Sequence, residues 1–206
     1  MKPCTLLVAT YNQGKLNELR GLLADLPLTL CDLSSFPSVQ PVAETGETFL
    51  ENAKLKAVGY STQTKLLTLA DDSGLEVDAL DGAPGVRSAR YSGEGASDTE
   101  RTNKLLSELS GVPPRARGAR FVSVIAMADR NGQVIHVSRG TCAGRIADAA
   151  RGSNGFGYDP IFIPEGLDKT FAELQPEVKN GLSHRSRAIA EAYQFLRSLT
   201  LSSDAG

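Results

Sequence analysis

Short apolar runs alternate with helix-spaced apolar stripes along the chain, and this alternation predicts its elements. Cys4–Thr10 reads as a buried strand, and Asn12 then stands where a helix N-cap belongs. Leu16, Leu19, Leu22, Leu23 and Leu26 form the apolar stripe of that first helix. Leu28–Leu33 predicts a second strand, which runs into a polar stretch holding Pro37 and Pro41. A second helix is expected from about Glu47 to Ser61, with Thr48 and Glu51 at capping-box spacing and Phe49, Ala53 and Ala57 facing the core. Leu66–Ala70 predicts a strand that ends at the turn-like Asp71-Asp72-Ser73-Gly74.

Farther along, Ala79–Gly95 reads as loop and Asp98–Leu109 as a third helix. Ala119–Asp129 and Gln133–Arg145 are β-rich runs joined by a hairpin turn at Asp129-Arg130-Asn131-Gly132. A glycine-rich loop, Gly152–Gly157, precedes a short strand at Pro160–Ile163, and Ser183 caps a last helix over His184–Leu199. Helices and strands mix, and a hairpin interrupts them, so the expected class is α/β with a mixed sheet rather than a purely parallel one. The 206 residues fit one domain, 1–199, followed by a frayed tail, 200–206.

Charge and composition narrow the partners. There are 22 Lys+Arg against 24 Asp+Glu, and a net charge of -2 excludes binding of a nucleic-acid polymer through bulk charge. The basic run Arg115–Arg120 lacks the interleaved aromatics of a single-strand binder. The three cysteines are widely spaced and form no CxxC pair, and the only histidines, His136 and His184, lie far apart, so neither a disulfide framework nor a zinc site is expected. The apolar run Leu6–Ala9 is too short for a signal-peptide core or a membrane span, and the expected location is the cytoplasm.

Five segments carry candidate chemistry. Thr10-Tyr11-Asn12-Gln13-Gly14-Lys15 stands at a strand-to-helix passage, where free N–H groups and a lysine suit a phosphate; the alternative is an ordinary capped helix with a solvated lysine. Asp71 and Asp72 are costly to hold together without a cation, and such hard oxygen ligands suit Mg²⁺; the alternative is a solvated acidic turn. Glu44 precedes the second helix, on which Asn52 and Lys56 share a face; they are either a surface pair or directed into a site. The loop Gly152-Ser153-Asn154-Gly155-Phe156-Gly157-Tyr158-Asp159-Pro160 offers close backbone approach and flat rings for a base, or aromatics for the core. Lys179, His184 and Arg185 cluster donors near the start of the last helix, where capping and solvation are the plainer roles.

The order of these segments is more specific than any one of them. T-x-N-x-x-K at Thr10–Lys15, ETGxTFxENAxxKA at Glu44–Ala57, DDSGLxVDxLxGAPGxxSARYSG at Asp71–Gly93, GFGYDPIF at Gly155–Phe162 and SHR at Ser183–Arg185 follow one another. Together they resemble the inosine/xanthosine triphosphate pyrophosphatase family over roughly Leu6 to Leu199. Tyr11 departs from it, since many relatives carry glycine there, which puts the loop's shape in question. The resemblance implies an elongated mixed sheet in two lobes around a central cleft, a homodimer, and Mg²⁺-dependent hydrolysis of ITP, dITP and XTP to the monophosphate and pyrophosphate.

The same resemblance implies roles for residues. Thr10, Tyr11, Asn12, Gln13, Gly14 and Lys15 would hold the triphosphate. Asp72 would accept the proton of the attacking water and, with Glu44 and Asp71, contact the metal, while Lys56 would add charge near the phosphates. Ser73, Phe156, Gly157, Tyr158, Asp159, Lys179, His184 and Arg185 would contact substrate. Donors around the purine O6 would leave buried groups unpaired against adenine, a mismatch of order 10⁴–10⁵ in specificity. Two alternatives remain: a pyrophosphatase for another modified nucleotide, and a non-catalytic nucleotide-binding module on the same scaffold.

Overall fold

A computed structural model describes residues 4–203 of the chain. Six strands, β1 (Cys4–Val8), β2 (Leu28–Asp32), β3 (Leu67–Val77), β4 (Gly118–Ala128), β5 (Val134–Ile146) and β6 (Phe162–Pro164), form one sheet in the order β2-β1-β3-β4-β5-β6. β1 runs parallel to β2 and β3, whereas β5 and β6 are antiparallel, so the sheet is mixed as expected. Among the described residues five α-helices accompany it: α1 (Gln13–Leu22), α2 (Phe49–Thr64), α3 (Asp98–Glu108), α4 (Pro176–Leu182) and α5 (His184–Ser203). None of the described helices is long and apolar enough to cross a membrane.

The chain divides into two compact units. The first comprises residues up to Asp72, Ser123–Gly140 and the chain from Arg185 onward; the second comprises Ser73–Val122 and Thr141–His184. In the first, Leu16, Leu19 and Leu23 of the α1 segment pack with Leu6, Val8, Leu69, Ile125 and Met127 of the strands and with Ile189 and Leu196 of α5. Leu16 and Leu19 are the buried face of α1, whereas Leu23 caps its end and Leu26, expected on the same helix, reaches this core from beyond it; full burial of each such side chain contributes about 1.5–3 kcal/mol. In the second, Leu75, Val77, Leu105, Leu109, Phe121, Phe162 and Phe171 form a separate core.

Helix starts follow the caps legible in the sequence. Thr48 Oγ1 accepts the Glu51 N–H, and the Glu51 carboxylate accepts the Thr48 N–H in return. Ser97 and Glu100 make the same reciprocal box at α3.

Three elements differ from expectation. β3 does not stop at Ala70 but continues through Asp71-Asp72-Ser73-Gly74 to Val77. Turn chemistry suggests a break there, yet pairing with Lys15 and Lys56 lets both carboxylates sit inside a strand. α4 has no counterpart in the expected elements, although Pro176 at its first position is a start signal. α5 runs on to Ser203, and the expected frayed tail beyond it, residues 204–206, lies outside the described residues.

Candidate active site

The continuation of β3 decides the geometry of the acidic pair. Successive strand residues point to opposite faces, so Asp71 and Asp72, both buried, meet different partners. Asp71 Oδ2 lies 2.8 Å from Lys15 Nζ and 3.6 Å from Arg185 Nε, while Ser123 Oγ donates to its Oδ1 at 2.5 Å. Burial disfavours the Asp71 carboxylate, but Lys15 and Arg185 outweigh it and hold the group well below the usual carboxylate range. Burial also draws the Lys15 ammonium below its usual pKa, with Asp71 opposing.

Asp72 takes the other lysine. Lys56 Nζ donates to Asp72 Oδ1 at 2.8 Å and to the backbone oxygen of Asp71 at 2.9 Å, and Glu44 Oε1 lies 3.4 Å away. Burial raises the Asp72 pKa despite the opposing lysines. Burial works against the charge of Lys56 as well, yet Asp72 and Glu44 together lift it above an ordinary lysine. The second oxygen, Asp72 Oδ2, is buried and has no hydrogen-bond partner among the described residues. An uncompensated buried acceptor is costly, so this atom is suited to a water, a proton or a cation supplied from outside.

Asn52 supports this arrangement from α2. Fully buried one turn before Lys56, its Oδ1 accepts the Gly46 N–H at 2.8 Å and its Nδ2 donates to the Gly46 oxygen at 3.3 Å. A Cβ on Gly46 would meet Glu51 Cβ at 2.6 Å, so the segment carrying Glu44 packs directly on the helix start. Asn52 and Lys56 are therefore not a surface pair: Lys56 engages the carboxylates, and Asn52 holds Gly46, two residues past Glu44.

At the start of α1, Asn12 Oδ1 accepts the Lys15 N–H at 3.0 Å, and the Asn12 N–H donates to Thr10 Oγ1 at 3.1 Å. Gly14 lies in the first turn, Gln13 Nε2 donates to Asn17, and Tyr11 is 65% exposed with its ring set edge-on to Tyr60. Arg185 is buried and donates to Glu18 of α1. Glu18 was not singled out in the sequence, because a helical glutamate facing an arginine 167 positions away leaves no local signal.

The second unit carries the remaining residues. Asp159 Oδ2 accepts from Lys179 Nζ at 2.6 Å and from the Phe156 N–H at 2.8 Å, and Lys179 Nζ stands 4.9 Å from the Phe156 ring centroid. Gly157 donates its N–H to Asp98 Oδ2 at 2.6 Å. Tyr158 belongs to the core, and its hydroxyl donates to the Ser88 oxygen at 2.9 Å. His184 is buried and stacks on Phe121, with ring centroids 4.7 Å apart and planes 10° from parallel. Ser73 is a partly buried residue of β3.

The residues expected at a metal are thus only partly gathered. Among the described residues no group of three or more His, Cys, Asp and Glu side chains is arranged to hold a metal ion. Asp72 and Glu44 share Lys56, while strand alternation turns Asp71 to Lys15 and Arg185. Two carboxylates, one with a buried unpartnered oxygen, still fit a Mg²⁺ ion, which ordinarily keeps water and takes only one or two protein carboxylates.

These features define an α/β protein with a mixed six-stranded sheet and a buried carboxylate–lysine centre beside a capped helix start. The Ham1 family model matches residues 6–195, and the chain belongs to that family. It is 48% identical over 194 residues to a dITP/XTP pyrophosphatase of Desulforamulus reducens, covering 94% of this chain and 96% of the relative. Identity to a dITP/XTP pyrophosphatase of Geobacter sulfurreducens is 52% over 185 residues, covering 90% and 92%. The solved HAM1 protein of Coxiella burnetii superposes with a TM-score of 0.86 at 42% identity, covering 95% of this chain and 99% of that one.

Proposed function

We propose that this protein hydrolyses deaminated purine nucleoside triphosphates, the dITP and XTP class, to the monophosphate and pyrophosphate. The observation that carries the mechanism is the asymmetry of Asp72. Lys56 occupies Oδ1, burial raises the pKa, and Oδ2 is left as a buried unpartnered acceptor. Such a carboxylate suits a general base, which must accept a proton in the transition state. Water loses its proton to Asp72 Oδ2 as its oxygen bonds to the α-phosphorus. The bond from that phosphorus to the bridging oxygen breaks, and pyrophosphate leaves with the electron pair.

Lys15 and Lys56 supply fixed positive charge where the phosphates gather negative charge, and positioning and electrostatics then carry the rate. The free N–H groups at the start of α1 suit the triphosphate. Asp72 and Glu44 would hold Mg²⁺, which when bound adds positive charge at the phosphate oxygens. Asp71 orients Lys15 rather than joining that pair. The family resemblance makes Phe156, Lys179 and His184 the base-recognising residues: a ring face for stacking and donors for a carbonyl at C6. The name carried by the relatives supports the substrate class. Cytoplasmic location and assembly as a homodimer complete the reading, and sedimentation equilibrium reads the assembly directly.

Pyrophosphate release from ITP, dITP, XTP, GTP and ATP, with Mg²⁺ and with chelator, tests the proposal. Release is expected from the first three, with loss on chelation. Equal turnover of ATP and ITP would remove the substrate assignment, and turnover unaffected by chelator would remove the metal.

A further inference from the structure

Phe156 sits in a loop whose backbone has little intrinsic stiffness. Gly155 and Gly157 flank it, both at positive φ, +77° and +62°. Two consecutive amides of this loop end on carboxylates. The Phe156 N–H reaches Asp159, three residues along the same segment, and the Gly157 N–H reaches Asp98, 59 residues earlier in the chain. Asp98 is the first residue of α3, directly after the cap Ser97, where a carboxylate is favoured by the helix dipole. Its other oxygen pairs with Arg101, which also donates to the backbone oxygens of Ala89, at 3.1 Å, and Ala96. The Asp98 carboxylate is therefore oriented before the loop meets it, and a charged acceptor makes the stronger kind of amide hydrogen bond.

We infer that Asp98 is a positioning residue for base recognition: through the Gly157 amide it holds the Phe156 loop in the conformation that receives the purine. This rests on the reading that Phe156 contacts the base. Asp159 does not reach this amide: its carboxylate accepts the Phe156 N–H and its own N–H donates to the Phe156 oxygen at 3.2 Å, which leaves the Gly157 N–H to Asp98.

Asp98→Ala removes the acceptor and the charge, whereas Asp98→Asn removes the charge and keeps an oxygen that can accept the Gly157 N–H. Comparing the two isolates the loop contact from the helix-dipole and Arg101 effects. In Asp98→Ala, KM for ITP is expected to rise about tenfold with kcat within about twofold, the loss of one charge-assisted hydrogen bond in the bound state. Asp98→Asn should restore KM most of the way, and amide exchange in the peptide spanning Gly155–Tyr158 should quicken only in the alanine variant. An unchanged KM in folded Asp98→Ala, or equal increases in both variants, would overturn the inference. Phe156→Ala, assayed alongside, separates the two levels. A raised KM there with an unchanged KM in Asp98→Ala sinks the Asp98 role alone. An unchanged KM in Phe156→Ala sinks the base-contact reading and this role of Asp98 with it.

Discussion

Asp71 and Asp72 are adjacent in sequence, yet each is served by a different lysine: Lys15 lies 2.8 Å from Asp71, and Lys56 lies 2.8 Å from Asp72. A strand passing through both residues sends one carboxylate to each face of the sheet, and the two acids acquire opposite properties. Lys15 and Arg185 hold Asp71 firmly ionised, whereas burial raises Asp72 despite Lys56. Two like residues whose environments drive their pKa values apart are suited to different tasks, one structural and one acid–base.

Replacing the proposed base should remove turnover without unfolding the chain. Asp72→Asn keeps an oxygen for Lys56 but loses basicity, so kcat for ITP should fall by about 10²–10⁴. Pyrophosphate release measures this, with circular dichroism to confirm the fold. A folded variant retaining activity within a few-fold of wild type would assign the proton to another group.

Asp71→Asn should act mainly on stability. It leaves the partly buried Lys15 without its paired carboxylate and removes a fully buried charge facing Arg185, and breaking such a pair costs about 3–5 kcal/mol. Urea unfolding gives the difference directly; a loss under about 1 kcal/mol would mean that the pair is solvated rather than buried.

The same carboxylate sets a pH dependence. Its folded pKa lies below the unfolded value of about 3.9, so its stabilising contribution is full above that pH and is lost as pH falls toward the folded value. Wild type should therefore weaken steeply below about pH 4, and Asp71→Asn should weaken less over the same interval. Urea midpoints for both proteins across that range provide the comparison, and parallel curves would contradict it.

Asn52 should control the metal rather than the nucleotide. Asn52→Ala frees Gly46 and with it the approach of Glu44 to Lys56, and loss of a supporting hydrogen bond of this kind typically weakens metal affinity about 10–100-fold. The Mg²⁺ concentration for half-activation should rise while KM for ITP at saturating metal changes little, and Mn²⁺ binding followed by electron paramagnetic resonance gives an activity-independent check. Equal effects on both would make Asn52 a general packing residue.

Phe156→Ala should raise KM for ITP about tenfold, the loss of one base–aromatic stack. Steady-state kinetics on ITP decide it, and an unchanged KM would leave the ring as a partner of Lys179 alone.

By itself the sequence determined what depends on neighbours a few positions apart. The Thr48–Glu51 box, the Asn12 cap and the Leu16–Leu19 face of α1 each involve residues within about a turn, and the structure carries all three. Motif order was likewise sufficient for the family. What only the tertiary structure decided are contacts between distant parts of the chain: Ser123 on Asp71, Glu18 on Arg185, Asp98 on Gly157. Asp71-Asp72-Ser73-Gly74 shows why. Local chemistry favours a turn there, and the segment stays in a strand because Lys15 and Lys56, brought by α1 and α2, neutralise the two carboxylates that the strand buries. A buried charge is tolerable only beside its counter-charge, and which counter-charge arrives is settled by packing.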